Sequence, residues 1–362
     1  MKNTFGDSVC LTLFGESHGA AIGAVLDGVA PGIKVDNEFI SHRLSLRRPA
    51  GAISTARREA DNFKILSGVK NGYTCGTPIC IMIENGDTKS GDYEALADLP
   101  RPSHADFTAR EKYHGFEETA GGGHFSGRIT APIVAAAALI IPALNKKGIY
   151  IGTHIRRIGD VCDRDFADYK KDILFLEREN FAALDSTARE KMQAVILTAA
   201  SEGDSVGGIL ETAVIGLPAG VGEPWFDTVE GKLAHAVFSV PAVKAIEFGG
   251  GFGLSKMRGS EANDAFKING SKIETETNNN GGVLGGITSG MPILFRCAVK
   301  PTPSISLPQK TVDMKTLCEK EISISGRHDP CIVQRARVVI DSVAALTVAD
   351  MLAVRFGTDW LA

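Results

Sequence analysis

Gly121-Gly122-Gly123-His124-Phe125-Ser126-Gly127-Arg128-Ile129-Thr130 runs directly into Ala131-Pro-Ile-Val-Ala-Ala-Ala-Ala-Leu-Ile-Ile-Pro-Ala-Leu144, and the reading of this stretch decides the fold. Ala131 to Lys147 reads as a helix that is apolar on most of its sides, and such a helix must be covered all round. It therefore belongs at the centre, with other layers packed against it. The apolar run Ala131–Leu144 is shorter than the roughly 20 residues of a membrane span, and it contains Pro132 and Pro142. The glycines and Arg128 ahead of the helix bring backbone amides and a guanidinium to its N-terminus, which suits an anion. The loop matches neither the phosphate-loop nor the dinucleotide-binding pattern.

Working outward, Val9, Leu11 and Leu13 alternate with polar or small residues and predict a strand running into the turn Gly15-Glu16-Ser17-His18-Gly19. A second strand follows from Ala20 to Leu26, then turns at Asp27-Gly28 and Pro31-Gly32. Asp36 is placed to cap a helix with the apolar face Phe39, Ile40 and Leu44, which must stop near Pro49. Further strands are predicted at Ile79–Ile83, Ile149–Ile158 and Gly207–Ile215. One or two amphipathic helices fit Ala167–Thr198, a capping-box-like start at Asp227–Glu230 predicts a helix through Val240, and a last helix covers Ile332–Phe356. Gly249–Gly290 is rich in glycine, asparagine and serine and too long for an ordinary connection, so it reads as functional. Regular βαβ alternation, internal repeats and linkers are absent. The expectation is a single α+β domain over 1–362 with antiparallel sheets.

With 44% hydrophobic and 23% charged residues, the composition is that of an ordinary globular protein. A pI near 6.1 argues against a general nucleic-acid binder. Seven scattered cysteines, none in a Cys-x-x-Cys pair, indicate neither a zinc knuckle nor a redox dithiol. The N-terminal residues lack the sustained apolar core of a signal peptide. The expectation is a cytoplasmic protein with no nucleic-acid or membrane partner.

Against a formal net charge of -4, Arg43, Arg47, Arg48, Arg57 and Arg58 fall within sixteen residues. The first three lie at a helix C-terminus, where the dipole alone favours cations. Arg57 and Arg58, beyond the break, need another reason. Guanidinium forks match carboxylate and phosphate oxygens in pairs, so the patch predicts a pocket for a small polyanion. His18, between glycines, titrates near pH 6.5 when unperturbed, which suits proton exchange with a departing phosphate. Arg101-Pro-Ser-His104-Ala-Asp106 is a second cluster, with Asp106 placed to orient the ring of His104, and Arg327-His328-Asp329-Pro330 is a third. Two other readings stand beside this one. His18, His104, Asp106, His328 and Asp329 are legitimate ligands for a metal-dependent phosphohydrolase, although their spacing specifies no metal site. A non-catalytic anion-binding or flavin-storage protein is the other.

Taken in order, these stretches resemble the chorismate synthase family over nearly the whole chain. The resemblance rests on GESHG at 15–19, RRP at 47–49, RPSHAD at 101–106, GGGHFSGR at 121–128, EGDSVGG at 202–208 and LPAGVGEP at 217–224. It continues through VKAIEFGGGF at 243–252, RGSEAND at 258–264, NNNGGVLGGITSG at 278–290, KPTPSI at 300–305 and GRHDPC at 326–331. It implies a β-α-β sandwich, with long helices enclosed between antiparallel sheets, and a homotetramer. It also implies an anti 1,4-elimination of phosphate from 5-enolpyruvylshikimate 3-phosphate that requires reduced FMN without net redox change. Some relatives reduce their flavin with NADPH.

Carried residue by residue, the resemblance gives His18 the role of acid at the substrate phosphate, sets His104 beside the flavin, and makes Asp329 part of a proton relay. Arg47, Arg48, Arg57, Arg101 and Arg128 line the substrate pocket, and Arg327 lines the substrate and flavin pocket. FMN is assigned to His124, Phe125, Ser126, Pro241, Ala242, Gly285, Lys300, Pro301, Thr302, Pro303, Ser304 and Arg327. No metal is implied. The charge argument agrees: a substrate with two carboxylates and a phosphate carries about four negative charges, and several close cations are needed to offset its dehydration. The sequence departs from the family pattern on the flavin side. His124-Phe125-Ser126-Gly127-Arg128-Ile129 replaces the usual Arg-Ser-Ser-Ala-Arg-Glu, Pro241 replaces an asparagine, Ser103 replaces a glycine, and no arginine stands near Ile53.

Overall fold

Alternating apolar residues near the N-terminus build an antiparallel sheet from β1 (Thr4–Phe5), β2 (Cys10–Gly15), β3 (Ala21–Asp27), β4 (Phe63–Ile65) and β5 (Ile79–Glu84), in the order β1-β2-β3-β5-β4. The molecule is seen in a computed structural model that describes residues 2–49, 51, 53–54, 61–86, 98–324 and 329–362. A second antiparallel sheet holds β6 (Tyr150–Ile158), β7 (Val161–Cys162), β8 (Gly208–Ile215), β9 (Val243–Phe248) and β10 (Ile293–Val299), in the order β9-β10-β8-β6-β7.

The main helices pack around and between the sheets. They are α1 (Asn37–Arg47), α2 (Asp106–Tyr113), α3 (Thr130–Lys146), α4 (Tyr169–Leu176), α5 (Ser186–Ser201), α6 (Val229–Ser239) and α7 (Val333–Phe356). α3 packs on β2, β3 and β5, α7 packs on β6 and β8, and α3 and α7 pack on each other. This is the sandwich that the resemblance implies, with the apolar helix after Arg128 at its centre. Residues from both sheets and from the enclosed helices share one continuous core.

The sequence explains why α3 sits there. Every residue from Thr130 to Leu144 except Pro142 is buried. Pro132 falls in the first turn, where a missing N–H breaks no helical bond. Together with the 3-10 turn before it, the helical stretch Gly127–Lys146 has 20 residues and is apolar enough to cross a bilayer. That corrects the shorter length read from Ala131–Leu144. Its most apolar window is 89% buried inside the protein, as befits a core helix. α7 is buried from Val333 to Ala353 apart from Arg335, and several of its inward polar groups are hydrogen-bonded. Ser342 and Thr347 donate back to the carbonyls of Val338 and Val343 at 2.6 and 2.7 Å. Asp350 Oδ1 accepts from the amides of Asp7, Ser8 and Val9 at 2.9, 2.7 and 3.0 Å, tying the N-terminal segment to the helix.

Local signals are met or displaced for identifiable reasons. Asp36 caps α1 by accepting from Phe39 N at 2.9 Å. The expected box at Asp227–Glu230 shifts by one residue. Thr228 is the cap and accepts from Gly231 N, so Glu230 falls one place short of the reciprocal position. The helical stretch 167–198 divides into α4 and α5. Residues 249–290 carry a 3-10 turn, a hairpin of Phe266–Asn269 with Lys272–Thr275, and a tight hairpin of Val283–Leu284 with Ile287–Thr288.

Candidate active site

The turn Gly15–Gly19 joins β2 to β3, and it lies on the glycine loop that leads to α3. Ser17 N donates to Gly123 O at 3.1 Å, and His124 Nδ1 lies 2.8 Å from Gly15 O. Gly121, Gly122 and Gly123 all have positive φ (61°, 85° and 52°). At Gly121 there is a second reason for glycine: a Cβ there would stand 1.9 Å from His18 Cε1. The loop can therefore close against the imidazole only because position 121 has no side chain.

Hydrogen-bond directions fix the histidine tautomer. Ser17 Oγ lies 3.2 and 3.1 Å from the carbonyls of Ala120 and Gly121, and 3.0 Å from His18 Nδ1. Carbonyls only accept, so the hydroxyl proton goes to one of them and Oγ accepts from Nδ1–H. With that tautomer, Nε2 is the ring nitrogen that carries the lone pair.

The far end of the same loop gathers the arginines. Arg47 Nε donates to Thr130 Oγ1 at 2.8 Å and NH2 to Gly127 O at 2.7 Å. Arg128 Nε donates to Asn85 Oδ1 at 3.2 Å, while Asn85 Nδ2 donates to the carbonyls of Glu16 and Gly19 at 2.9 and 2.8 Å. Asn85 thus ties the histidine turn to the arginine cluster. Asp61 sits at the centre of that cluster. It contacts Arg128 NH1 and lies 3.6 Å from both Arg47 NH1 and Arg48 Nε. Arg47 and Arg128 are buried, and Arg48 keeps about a third of its side chain exposed (34%).

Arg43 does not join this group. It is buried against Asp341 of α7 at 3.1 Å, beside Arg337, so it fastens α1 to α7. Arg335, at the start of α7, donates Nε to Arg47 O at 2.8 Å and pairs through NH1 with Asp329. Pro330 O accepts from Val206 N at 2.8 Å, and Ser205 Oγ donates to Thr302 O at 2.7 Å. The chain segments from His18 to Thr302 are thereby linked.

His104 lies in a second cluster. Its Nε2 is 2.8 Å from Ser304 Oγ. Asp106, expected to orient that ring, is instead held by Arg101 through two bonds of 2.8 and 2.7 Å. Burial alone would raise the Asp106 carboxyl, but the hydrogen bonds and charge of Arg101 outweigh it and hold the group below its usual range. Lys300 Nζ donates to Ser103 O at 2.6 Å, and Lys300 N donates to Ala242 O at 3.0 Å. Ser103 and Ala242 both have left-handed backbone, with φ of 61° and 72°. Non-glycine residues held there cost of order 1–3 kcal/mol, and such strain concentrates at functional sites. Burial, and then the charge of Lys244, push the Lys300 ammonium below its usual range.

Not every expected residue converges. Pro241 and Ala242 follow α6 and lie beside Lys300, whereas Gly285 is at the tip of the hairpin beside the start of α6, where Val229 N donates to Gly286 O. β10 separates Gly285 from Lys300 by about 20 Å at 3.3 Å per residue. One protomer does not bring them together. Pro301 and Pro303 are in the same loop as Ser304, and the carbonyl of Pro303 accepts from Gln309 at 3.3 Å. Ser126 caps the turn before α3 by accepting from Arg128 N. His124 and Phe125 line a cavity of about 330 Å³ with Phe14, Glu16, Tyr113, Phe116, Glu117 and Glu118. Arg57 and Arg327, with Arg58 and His328, lie outside the described residues. Among the described residues, no group of three or more His, Cys, Asp or Glu is arranged to hold a metal.

Asp61, Asn85 and Arg335 escaped the sequence reading. Asp61 carried one signal, a carboxylate placed three residues after Arg57-Arg58. Asn85-Gly86 looks like an ordinary turn, and Arg335 like one more surface charge on a helix.

A family model described as chorismate synthase matches residues 9–353. A chorismate synthase of Pyrococcus abyssi is 49% identical over 350 residues, covering 97% of each chain. One of Dehalococcoides mccartyi is 44% identical over 360 residues, covering 99% of this chain and 98% of its own. A crystal structure of a chorismate synthase superposes with a TM-score of 0.77 at 27% identity, over 98% of this chain and 94% of that one.

Proposed function

Since the chain belongs to the chorismate synthase family, we propose that the residues around Gly121–Thr130 carry the elimination of phosphate from 5-enolpyruvylshikimate 3-phosphate. The activity is that of a chorismate synthase, a carbon–oxygen lyase of aromatic amino acid biosynthesis. One observation supports the assignment of residues above all others. A single ordered loop presses on His18 at one end and accepts from Arg47 at the other. An acid and an anion site are thereby held in fixed relation.

Arg48, Arg128 and Arg47, with Arg57 and Arg101, bind the anionic groups of the substrate. His18 delivers the proton on Nε2 to the departing phosphate, and Ser17 keeps Nδ1 in the donating form. Asp329 receives the proton lost from the substrate carbon, and Arg335 sets the direction of that carboxylate.

The flavin-side residues fit a phosphate-bearing cofactor at Lys300. Its ammonium is pushed below its usual range by burial and then by the charge of Lys244, and a phosphate monoester would relieve both. When bound, reduced FMN supplies the electron-rich ring that the elimination requires. His104 and Ser304 hold its polar edge, with Pro241, Ala242 and Pro301–Pro303 forming the wall. Glu16, Glu117 and Glu118 surround His124 and Phe125, so those positions and Ser126 meet an uncharged part of the ligand. Gly285 joins the site from a second copy, which is how a homotetramer enters this reading. The enzyme is a single domain over 1–362, acts in the cytoplasm, needs neither nucleic acid nor membrane, and takes its electrons from an external reductant or from NADPH.

Anaerobic incubation with 5-enolpyruvylshikimate 3-phosphate and chemically reduced FMN tests this. Phosphate and chorismate should appear together, with flavin required but not consumed in proportion. Folded protein that yields neither product would end the reading.

A further inference from the structure

Asn85 follows β5, and its backbone extends the pairing with β3 by one step, Asn85 N donating to Ala20 O at 3.2 Å. Its side chain is thereby set beside the turn that carries His18. Both amide protons go to that turn: Nδ2 donates to Glu16 O at 2.9 Å and to Gly19 O at 2.8 Å. These carbonyls bracket Ser17-His18, and Gly19 N closes the same turn onto Glu16 O at 3.2 Å. The other arm, Oδ1, accepts from Arg128 Nε at 3.2 Å. These partners allow one orientation only. A flipped amide would set its oxygen against two carbonyls and its NH2 against a guanidinium. The position needs two donors on one arm and an acceptor on the other, which is the amide of asparagine. Aspartate, ionised, has no donor, and leucine, of similar shape, has neither donor nor acceptor.

We propose that Asn85 is a positioning residue for the elimination: a single amide that sets His18 in place relative to Arg128, and so sets the proton in place relative to the anion bound there. The proposal rests on the reading that His18 is the acid and that Arg128 binds substrate. The glycine loop holds the turn at Ser17 N and by the close approach of Gly121 to the imidazole. Asn85 holds it from the sheet, at Glu16 and Gly19. Arg128 stands at the far end of the glycine loop, so its bond to Asn85 closes a ring of contacts: turn, loop, guanidinium, amide and back to the turn. Removing the amide opens that ring at the one side chain that touches both functional ends. Proton transfer depends steeply on alignment, and a misplacement of about 1 Å costs about 100-fold in rate.

The test is steady-state turnover of 5-enolpyruvylshikimate 3-phosphate with reduced FMN by variants of the full chain. Asn85→Leu should lower kcat about 100-fold and change KM far less. Asn85→Asp keeps an acceptor for Arg128 but loses both donors to the turn, so its kcat should fall about as far. A kcat near wild type in Asn85→Asp would show that the hold on the turn is immaterial and would overturn the proposal. The decisive comparison is made in a His18→Ala background. There Asn85→Leu should cost less than about twofold more in kcat, because the group it positions is gone. A merely structural role lowers turnover in both backgrounds alike, so equal losses overturn the proposal, as does an Asn85→Leu variant with unchanged kcat. If His18→Ala alone keeps wild-type turnover, the reading of the acid fails and takes this proposal with it. Should Asn85→Leu not fold, Asn85→Asp replaces it in the same comparison, and if neither folds the residue is structural and the proposal is overturned.

Discussion

Two buried charge clusters in this molecule are built on opposite rules. In the second sheet, Glu247, Arg296, Glu211 and His154 stand directly opposite one another across four neighbouring strands. Arg296 bonds Glu211 and Glu247 at 2.8 and 2.9 Å, and His154 lies 3.0 Å from Glu211 and 2.9 Å from Asp163. Signs alternate along the row, and every cation is flanked by carboxylates. At the candidate site, three guanidiniums share Asp61 as their carboxylate among the described residues. The first arrangement is closed and has no use for a ligand. In the second, Arg47 also bonds the glycine loop that closes on His18, so the cluster is built into the candidate site. Buried charge by itself does not mark an active site; the connection to His18 through the glycine loop is what separates the second cluster from the first.

The comparison can be broken most decisively at His18. Replacing it with alanine should lower kcat by about 10²–10⁴-fold while Tm stays near that of wild type, measured by steady-state kinetics and calorimetry. A matching loss of Tm would make the residue structural. In the balanced row the reverse should hold. Glu211→Ala leaves His154 and Arg296 without their shared partner and should cost about 3–5 kcal/mol of stability in denaturant unfolding. Turnover of the protein that remains folded should be unchanged.

The pH dependence of stability sharpens the same contrast. Burial opposes charging of His154, but the hydrogen bonds and charges of Asp163 and Glu211 outweigh it, so its pKa is raised. Burial likewise opposes ionisation of Asp163 and Glu211, and the imidazolium holds both below their usual range. Tyr169, raised by burial and by Glu211, and the ring edge of Phe166 complete the surroundings. The stability from His154 is thus complete below its unfolded pKa of about 6.5 and is lost as pH climbs through its higher folded value. That from the two carboxylates is present above about pH 4 and is lost as pH falls through their lower folded values. Tm should peak between these limits, and His154→Gln should flatten the alkaline decline. An unchanged alkaline limb would show that the row does not titrate as a unit.

The smallest effect concerns strain. Ser103→Gly relieves a left-handed serine and should raise stability by up to about 1 kcal/mol. A destabilised variant would mean that Ser103 contributes a contact worth more than its strain.

Legibility followed the range of each interaction. α3 was readable because a helix apolar on most sides must be covered all round, and Asp36 because a cap acts over three residues. The tautomer of His18 was not, since it depends on carbonyls about a hundred residues away. Asp106 was read as the partner of His104 because the two are close in sequence, yet an aspartate prefers the doubled bond that Arg101 offers. Gly285 and Lys300 were placed together by motif alone, and the length of β10 separates them.

From its own order of residues, the chain determined an α+β domain with antiparallel sheets, an apolar helix at its centre, and a histidine turn and a glycine loop at the ends of predictable elements. Those properties arise from periodicity, turns and caps, whose forces act between near neighbours. Only the tertiary structure decided which arginines gather, that Asp61 sits among them, and that His154, Glu211 and Arg296 cancel one another. Charges interact through space, and no spacing along the chain states which of them the fold will bring within a few ångströms.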